Sequence, residues 1–187
     1  KKALAAGYLL FRGSTGYCHL YKTLNIDTSK PADQIEVTTS ITVNRPRNEV
    51  YAFWRKLSNL PVFMKHLHSV TILDEKHSQW KAQIPGGLGT INWKSEIAAD
   101  VKDELIAWKS LPGSQIENAG VVQFKDAGKS QTEINVYIAY HAPLDNIGAS
   151  IGRMLNPLLK GMIKDDVKNF KQYIETGEIN SRQKEAV

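Results

Sequence analysis

The chain has 187 residues and a formal net charge of +5, and 42% of its residues are hydrophobic, with 13 glycines in addition. This length predicts one domain, or one domain with a short appendage. The composition is that of a globular protein and excludes a disordered, collagen-like or coiled-coil chain. The single cysteine, Cys18, cannot form a disulfide within the chain, which fits a reducing compartment.

Composition divides the chain into four stretches. Residues 1–26 contain an apolar run, Ala3–Phe11, which is shorter than the roughly 20 residues that a membrane-spanning helix needs. Residues 27–33 have the Pro-containing, small polar composition of a linker. Residues 34–179 carry continuous apolar patterning, and residues 180–187 form a polar tail.

Alternation of apolar and polar residues predicts seven strands in the patterned stretch. The clearest runs are 35–43 and 91–101, in which every second residue is apolar or small. Pro46 is predicted to open a short helix as its first residue, where its missing N–H costs nothing, and a second short helix is predicted near 61–66. Because the turns between neighbouring strands are short, the strands are expected to be antiparallel.

The C-terminal third is predicted to be helical. A short helix is expected over Asp145–Leu155, and Pro157 is expected to begin a second helix, because proline is unfavourable inside one. That helix runs to about Thr176, with Gly177 placed for a C-terminal cap. A long amphipathic helix is the largest available cover for the apolar face of the sheet. A sheet that curls around it would leave space for a ligand.

This element order resembles the α+β helix-grip fold of the START / Bet v 1-like superfamily. The stretch Pro46–Leu73, and the pattern Ile-x-Trp-x-Ser-x-Pro-Gly at 106–113, are similar to the polyketide cyclase/dehydrase-like (SRPBCC) family, which includes coenzyme-Q-binding-type START proteins. The resemblance covers about residues 34–179. It implies a curved antiparallel seven-stranded sheet around a long C-terminal helix, with two short helices after the first strand.

A second resemblance lies near the start of the chain. The stretch Gly13–Tyr21 is similar to the end of a small bacterial inner-membrane domain with two hydrophobic helices, although His19 stands where that motif has proline. It implies a bacterial cytoplasmic domain that is tethered to the inner face of the inner membrane through a segment upstream of Lys1.

The predicted ligand is a hydrophobic small molecule, and the family resemblance suggests a lipid, a quinone or an isoprenoid that the domain carries or presents. The four tryptophans fit either core packing or an aromatic-lined pocket, and both interpretations stay open at this point. An interaction module without a working cavity is a further alternative. The residues predicted to line the cavity are Trp54, Phe63, Met64, Trp80, Trp93, Trp108, Phe124, Tyr140, Leu159 and Met162.

The family resemblance also suggests an enzyme, a cyclase or dehydratase, which would need a general acid or base inside the cavity. The candidates are His68, Tyr140 and Glu117. His66 and His68 could share one face of a strand, but no accompanying ligand completes a metal site. No metal and no cofactor is therefore predicted.

Four lysines follow one side of the last helix: Lys160, Lys164, Lys168 and Lys171. They fit a solvated polar face, or contact with anionic lipid headgroups, where each lysine would add about 1 kcal/mol. Nucleic acid is not a predicted partner, because the aromatic residues do not interleave with this row. The oligomeric state is left open.

Overall fold

The computed structural model describes residues 34–84, 87, 89–141 and 149–178. The predicted N-terminal stretch 1–26, linker 27–33 and tail 180–187 lie outside the described residues. None of the helices in the described part of the chain is long and apolar enough to cross a membrane. The elements in chain order are β1 (Gln34–Val43), α1 (Arg47–Arg55), a 3-10 turn (Leu57–Asn59), α2 (Leu60–Phe63), β2 (Leu67–Ile72), β3 (His77–Gln83), β4 (Thr90–Val101), β5 (Leu105–Ser110), β6 (Glu117–Gly128), β7 (Gln131–His141) and α3 (Ala149–Thr176).

The seven strands form one antiparallel sheet in the order β1-β7-β6-β5-β4-β3-β2. This confirms the predicted helix-grip architecture, with two short helices after the first strand and a long C-terminal helix. Because β1 and β2 lie at opposite edges, the segment that contains α1 and α2 connects one edge to the other. The core therefore lies between one face of the sheet and the helices.

Apolar residues on the inner face of the strands supply the sheet side of this core. Val37 on β1 pairs with Ile138 on β7, and both are almost completely buried. Helix α3 contributes Ile163, Val167 and Phe170, each at most 1% exposed. Burying one such side chain stabilises the fold by roughly 1.5–3 kcal/mol, so this stripe fixes which face of α3 meets the sheet.

The alternation predicted for 91–101 is wrong at one point. The pairing of β4 with β5 shifts between Ile97 and Ala99, so that Asp100 pairs with Ile106. A bulge of this kind moves the following residues to the opposite face. Asp100 therefore lies on the core side, where its carboxylate accepts hydrogen bonds from the Tyr51 hydroxyl and Arg55 Nε. Burial, followed by the bond to Asp100, raises the pKa of Tyr51 to about 12.

The predicted break at Pro157 is also wrong, because α3 is continuous from Ala149 to Thr176 with Pro157 inside it. The proline removes one hydrogen bond of the helix, at a cost of about 3 kcal/mol. Pro157 itself is exposed. The expected start of a helix near Asp145 lies outside the described residues.

Candidate functional site

Three indole rings stack on the inner face of strands β3, β4 and β5. Trp80 and Trp93 are direct cross-strand partners, with ring centroids 5.6 Å apart and planes 25° from parallel. Trp80 also stacks on Trp108, at 6.2 Å and 16°. Each ring is only 4–5% exposed. The three tryptophans thus form a continuous aromatic wall, which we call the indole stack.

Small polar residues on the same strand faces satisfy the first two indole N–H groups. Trp80 Nε1 donates to Ser78 Oγ at 2.8 Å, and Trp93 Nε1 donates to Ser95 Oγ at 3.1 Å. Both serines are buried and lie two residues from their tryptophan, so they share its face of the sheet. Because these donors are already bonded, the two rings offer apolar surface rather than polar edges.

Trp108 is held by β6. Its Nε1 donates to Asn118 Oδ1 at 3.0 Å, and the Asn118 side-chain amide reaches the Ala139 carbonyl at 3.5 Å. The ring lies flat over Gly120, where an added Cβ would meet atom Cζ2 of Trp108 at 2.2 Å. Only a residue without a side chain leaves room for this orientation of the indole.

A second aromatic cluster is closely packed against α3. Trp54 lies 5.2 Å from both Phe63 and Phe170 between ring centroids, and those two phenylalanines are 5.0 Å apart. Phe124 closes the group at 6.5 Å from Trp54. All four side chains are at most 2% exposed. Tilted and edge-to-face pairs at these distances pack favourably, so this cluster acts as structural core.

The structure thus divides the ten predicted lining residues. The indole stack holds Trp80, Trp93 and Trp108, whereas Trp54, Phe63 and Phe124 belong to the closed cluster. Of the other four, Met64 is buried, and Tyr140 and Leu159 are half-buried against the same core. Met162 is half-buried. Contact of these residues with a ligand stays a prediction.

Two of the three predicted acid–base candidates do not face the interior. His68 is exposed on edge strand β2, and its Nε2 lies 3.1 Å from Gln83 Oε1. The pairing of β2 with β3 shifts between Leu67 and Ser69, which leaves Leu67 and Val70 as the buried residues. Glu117 is exposed at the start of β6. Of the three, only Tyr140 packs against the core.

The sequence analysis missed a buried ionisable pair. His66 Nδ1 lies 2.8 Å from Asp166 Oδ2, with side chains 9% and 3% exposed. Neither of these two atoms makes a hydrogen bond of acceptable geometry, so the contact is mainly electrostatic. Asp166 Oδ1 accepts the Lys65 backbone N–H at 3.2 Å. Asn169 Nδ2, three residues further on, donates to the Phe63 carbonyl at 3.3 Å.

These contacts attach α3 to the turn that follows α2, and they place charge close to Tyr140. Burial raises the pKa of Tyr140 well above its ordinary value, and the negative charge of Asp166 raises it further. A signal was present in the sequence, because Asp166 falls three residues after Ile163 and four before Phe170. That spacing places a carboxylate on the apolar stripe of α3.

The row of four lysines is partly engaged by the protein itself. Lys168 pairs with Asp165 at 2.8 Å. Lys171 contacts Glu175 at 3.1 Å and donates to the Thr42 carbonyl. The remaining two, Lys160 and Lys164, are exposed.

Known proteins resemble this chain both in sequence and in structure. A sequence model of the family described as polyketide cyclase / dehydrase and lipid transport matches residues 43–171. A Deinococcus radiodurans protein of known structure is 37% identical over 76% of this chain and 98% of that chain, with a TM-score of 0.62. No curated protein matches the chain.

Two more distant structures share the fold. A START superfamily protein from Mycobacterium smegmatis is 10% identical over 74% of this chain and 98% of that chain, with a TM-score of 0.61. The Zhui aromatase/cyclase from Streptomyces sp. R1128 is 12% identical over 79% and 99%, with a TM-score of 0.56.

Proposed function

Since the chain belongs to the polyketide cyclase / dehydrase and lipid transport family, we propose that it binds a hydrophobic small molecule between its curved sheet and α3. A fold of this family implies a hydrophobic ligand-binding cavity. The proposed ligand is a lipid, a quinone or an isoprenoid, which the domain carries or presents. As a secondary part of the proposal, Lys160 and Lys164 contact anionic lipid headgroups.

The indole stack is the observation that carries this proposal. Three stacked rings, whose N–H groups are bonded within the protein, form an apolar wall on the inner face of the sheet. A flat ring can extend such a stack, and an aromatic pair contributes about 1 kcal/mol beyond its buried area. Each 100 Å² of apolar ligand surface removed from water adds about 2.5 kcal/mol.

Binding can be tested with two simple apolar probes, the planar hydrocarbon fluorene and the straight-chain 1-dodecanol, by equilibrium dialysis against the full chain. Trp80→Leu removes the central ring of the stack. We expect it to weaken fluorene binding at least about fivefold, which corresponds to the loss of one aromatic pair. Thermal unfolding of each variant confirms that it is folded.

Trp54→Phe is the matched control. It changes a tryptophan of the closed cluster, so fluorene affinity should stay within about twofold of the wild type. If neither probe binds the folded wild-type chain, the proposal is contradicted. Equal losses in the two variants would also contradict it, because binding would then depend on general stability and not on the indole stack.

A further inference from the structure

The two edges of the sheet differ in how they are protected. Helix α3 bonds the end of β1, because the Asn44 N–H donates to Glu175 Oε1 at 2.7 Å and Lys171 donates to the Thr42 carbonyl. The opposite edge strand, β2, has β3 as its one neighbour among the described strands, and four of its six residues are exposed. The segment 67–73 contains no Lys, Arg, Asp, Glu or Pro, the residues that usually keep a sheet edge from pairing. β2 is therefore the open edge of the sheet.

The backbone of β2 directs hydrogen-bonding groups towards this open edge. The Leu73 N–H donates to the His77 carbonyl on the β3 side at 2.9 Å. Because bonding alternates along an antiparallel strand, Val70 and Ile72 direct their N–H and C=O groups away from β3. The shift in the pairing of β2 with β3 lies before Ser69, so the strand is regular from that residue onwards. The open edge thus offers donors and acceptors at the spacing that another strand needs.

Exposed apolar side chains lie at both ends of this strand. Val62, Ile72 and Leu73 are 42%, 49% and 49% exposed, and they are three of the five large apolar side chains that are exposed in the described part of the chain. Ile72 and Leu73 lie at the end of β2, whereas Val62 lies on α2, just before the strand begins. Within one chain the length of the strand, about 20 Å for six residues, separates these two apolar groups.

We propose that β2 pairs antiparallel with β2 of a second copy of this chain. A two-fold axis at Val70 places Leu73 opposite the partner's Leu67, next to the α2 of that copy. The apolar end of each strand then meets the apolar residue that precedes the other, which only an antiparallel pairing achieves. Such an interface is self-complementary, and the uncharged segment brings no like charges opposite each other. The inference goes beyond the proposed function and depends on no ligand.

The size of this edge predicts a weak dimer. A strip about 20 Å long and about 10 Å deep is much smaller than the roughly 800 Å² that each partner buries in a standard interface. The pairing therefore belongs to the class of small, transient interfaces. We expect a dissociation constant of about 0.1 mM, which is measurable at the high concentrations of a solution experiment.

Sedimentation velocity of the full chain, from about 10 µM to about 1 mM, measures this self-association. We expect the mass to rise from that of one chain towards that of two. Ile72→Lys should weaken the association at least about tenfold, because it removes an exposed apolar contact and places a charge at the edge. Val101→Lys is the matched control, because Val101 is 48% exposed on the interior strand β4. Its association should stay within about twofold of the wild type.

A second substitution tests the register. In the proposed pairing, residue 72 lies opposite residue 68 of the other copy. Adding His68→Glu to Ile72→Lys places opposite charges across the two strands and should recover most of the loss, whereas the two positions are about 13 Å apart within one strand. Amide exchange of the wild type needs no substitution: the N–H groups of Val70 and Ile72 should exchange more slowly at high protein concentration, and that of Thr71, which is directed towards β3, should not.

Three results would overturn the pairing. The first is a full chain that stays monomeric at about 1 mM. The second is equal association of Ile72→Lys and Val101→Lys. The third is association without slower exchange at Val70 and Ile72, since the copies would then meet through another surface. Should Ile72→Lys unfold, the exchange of these two amides still decides. None of these results bears on the proposed function, because every measurement is made without a ligand.

Discussion

Replacing Gly120 with alanine is expected to destabilise the domain by about 2–4 kcal/mol. The new Cβ would lie 2.2, 2.6 and 2.7 Å from three atoms of the Trp108 ring, whereas carbon atoms in contact are roughly 3.5–4.0 Å apart. The indole must therefore move by more than 1 Å. Overpacking of this kind costs about 1–3 kcal/mol. Loss of the 3.0 Å bond to Asn118 adds about 1 kcal/mol.

Denaturant unfolding followed by circular dichroism measures this change, and tryptophan fluorescence reports the displaced ring. Gly161→Ala is the matched control, because Gly161 lies in α3 with nothing within 4 Å of an added Cβ. It should stabilise the chain by up to about 1 kcal/mol. Trp108→Leu in the Gly120→Ala background should recover part of the loss, a coupling that a double-mutant cycle detects. A cost below about 0.5 kcal/mol for Gly120→Ala, with unchanged fluorescence, would refute the reasoning.

Three further changes test other parts of the fold. Asp166→Ala should cost about 3 kcal/mol or more in the free energy of unfolding, because it leaves His66 and a backbone N–H unpaired in the interior; a cost near zero in urea unfolding would show that the pair is dispensable. Gly177→Ala should lower the free energy of unfolding by about 1 kcal/mol. Gly177 caps the C-terminus of α3 at φ +78°, and its N–H donates to a carbonyl one turn earlier. A Tm equal to that of the wild type would argue against this cap. The backbone N–H groups of residues 76 and 77 and then the His77 ring lower the pKa of Asp74 from 3.8 to about 2. The ionised Asp74 carboxylate therefore stabilises the fold above pH 3.8, and this contribution is lost as the pH falls towards 2. Asp74→Asn should flatten the fall in Tm over that range, and identical pH profiles of Tm in the two proteins would contradict this.

The acid–base hypotheses show why site residues were harder to predict than strands. His68 is a candidate if it faces the cavity and carries a proton there, yet the irregular start of β2 leaves it exposed beside Gln83. His66, two residues earlier, is the histidine that meets a carboxylate. Its partner Asp166 is about a hundred residues away in the chain. No local pattern connects the two, although a carboxylate on the apolar stripe of α3 indicated that some buried partner was needed.

The sequence by itself determined the strands, the two short helices and the antiparallel order, because side-chain period and turn residues are local properties of the chain. It also identified the tryptophans as inward-facing, and the motif at 106–113 indicated the family. Only the tertiary structure decided that β4 bulges and turns Asp100 towards α1, that α3 continues through Pro157, and that three indoles stack beside small residues. Each of these depends on contacts between segments distant in sequence, whose packing energy outweighs the local preference of any one residue.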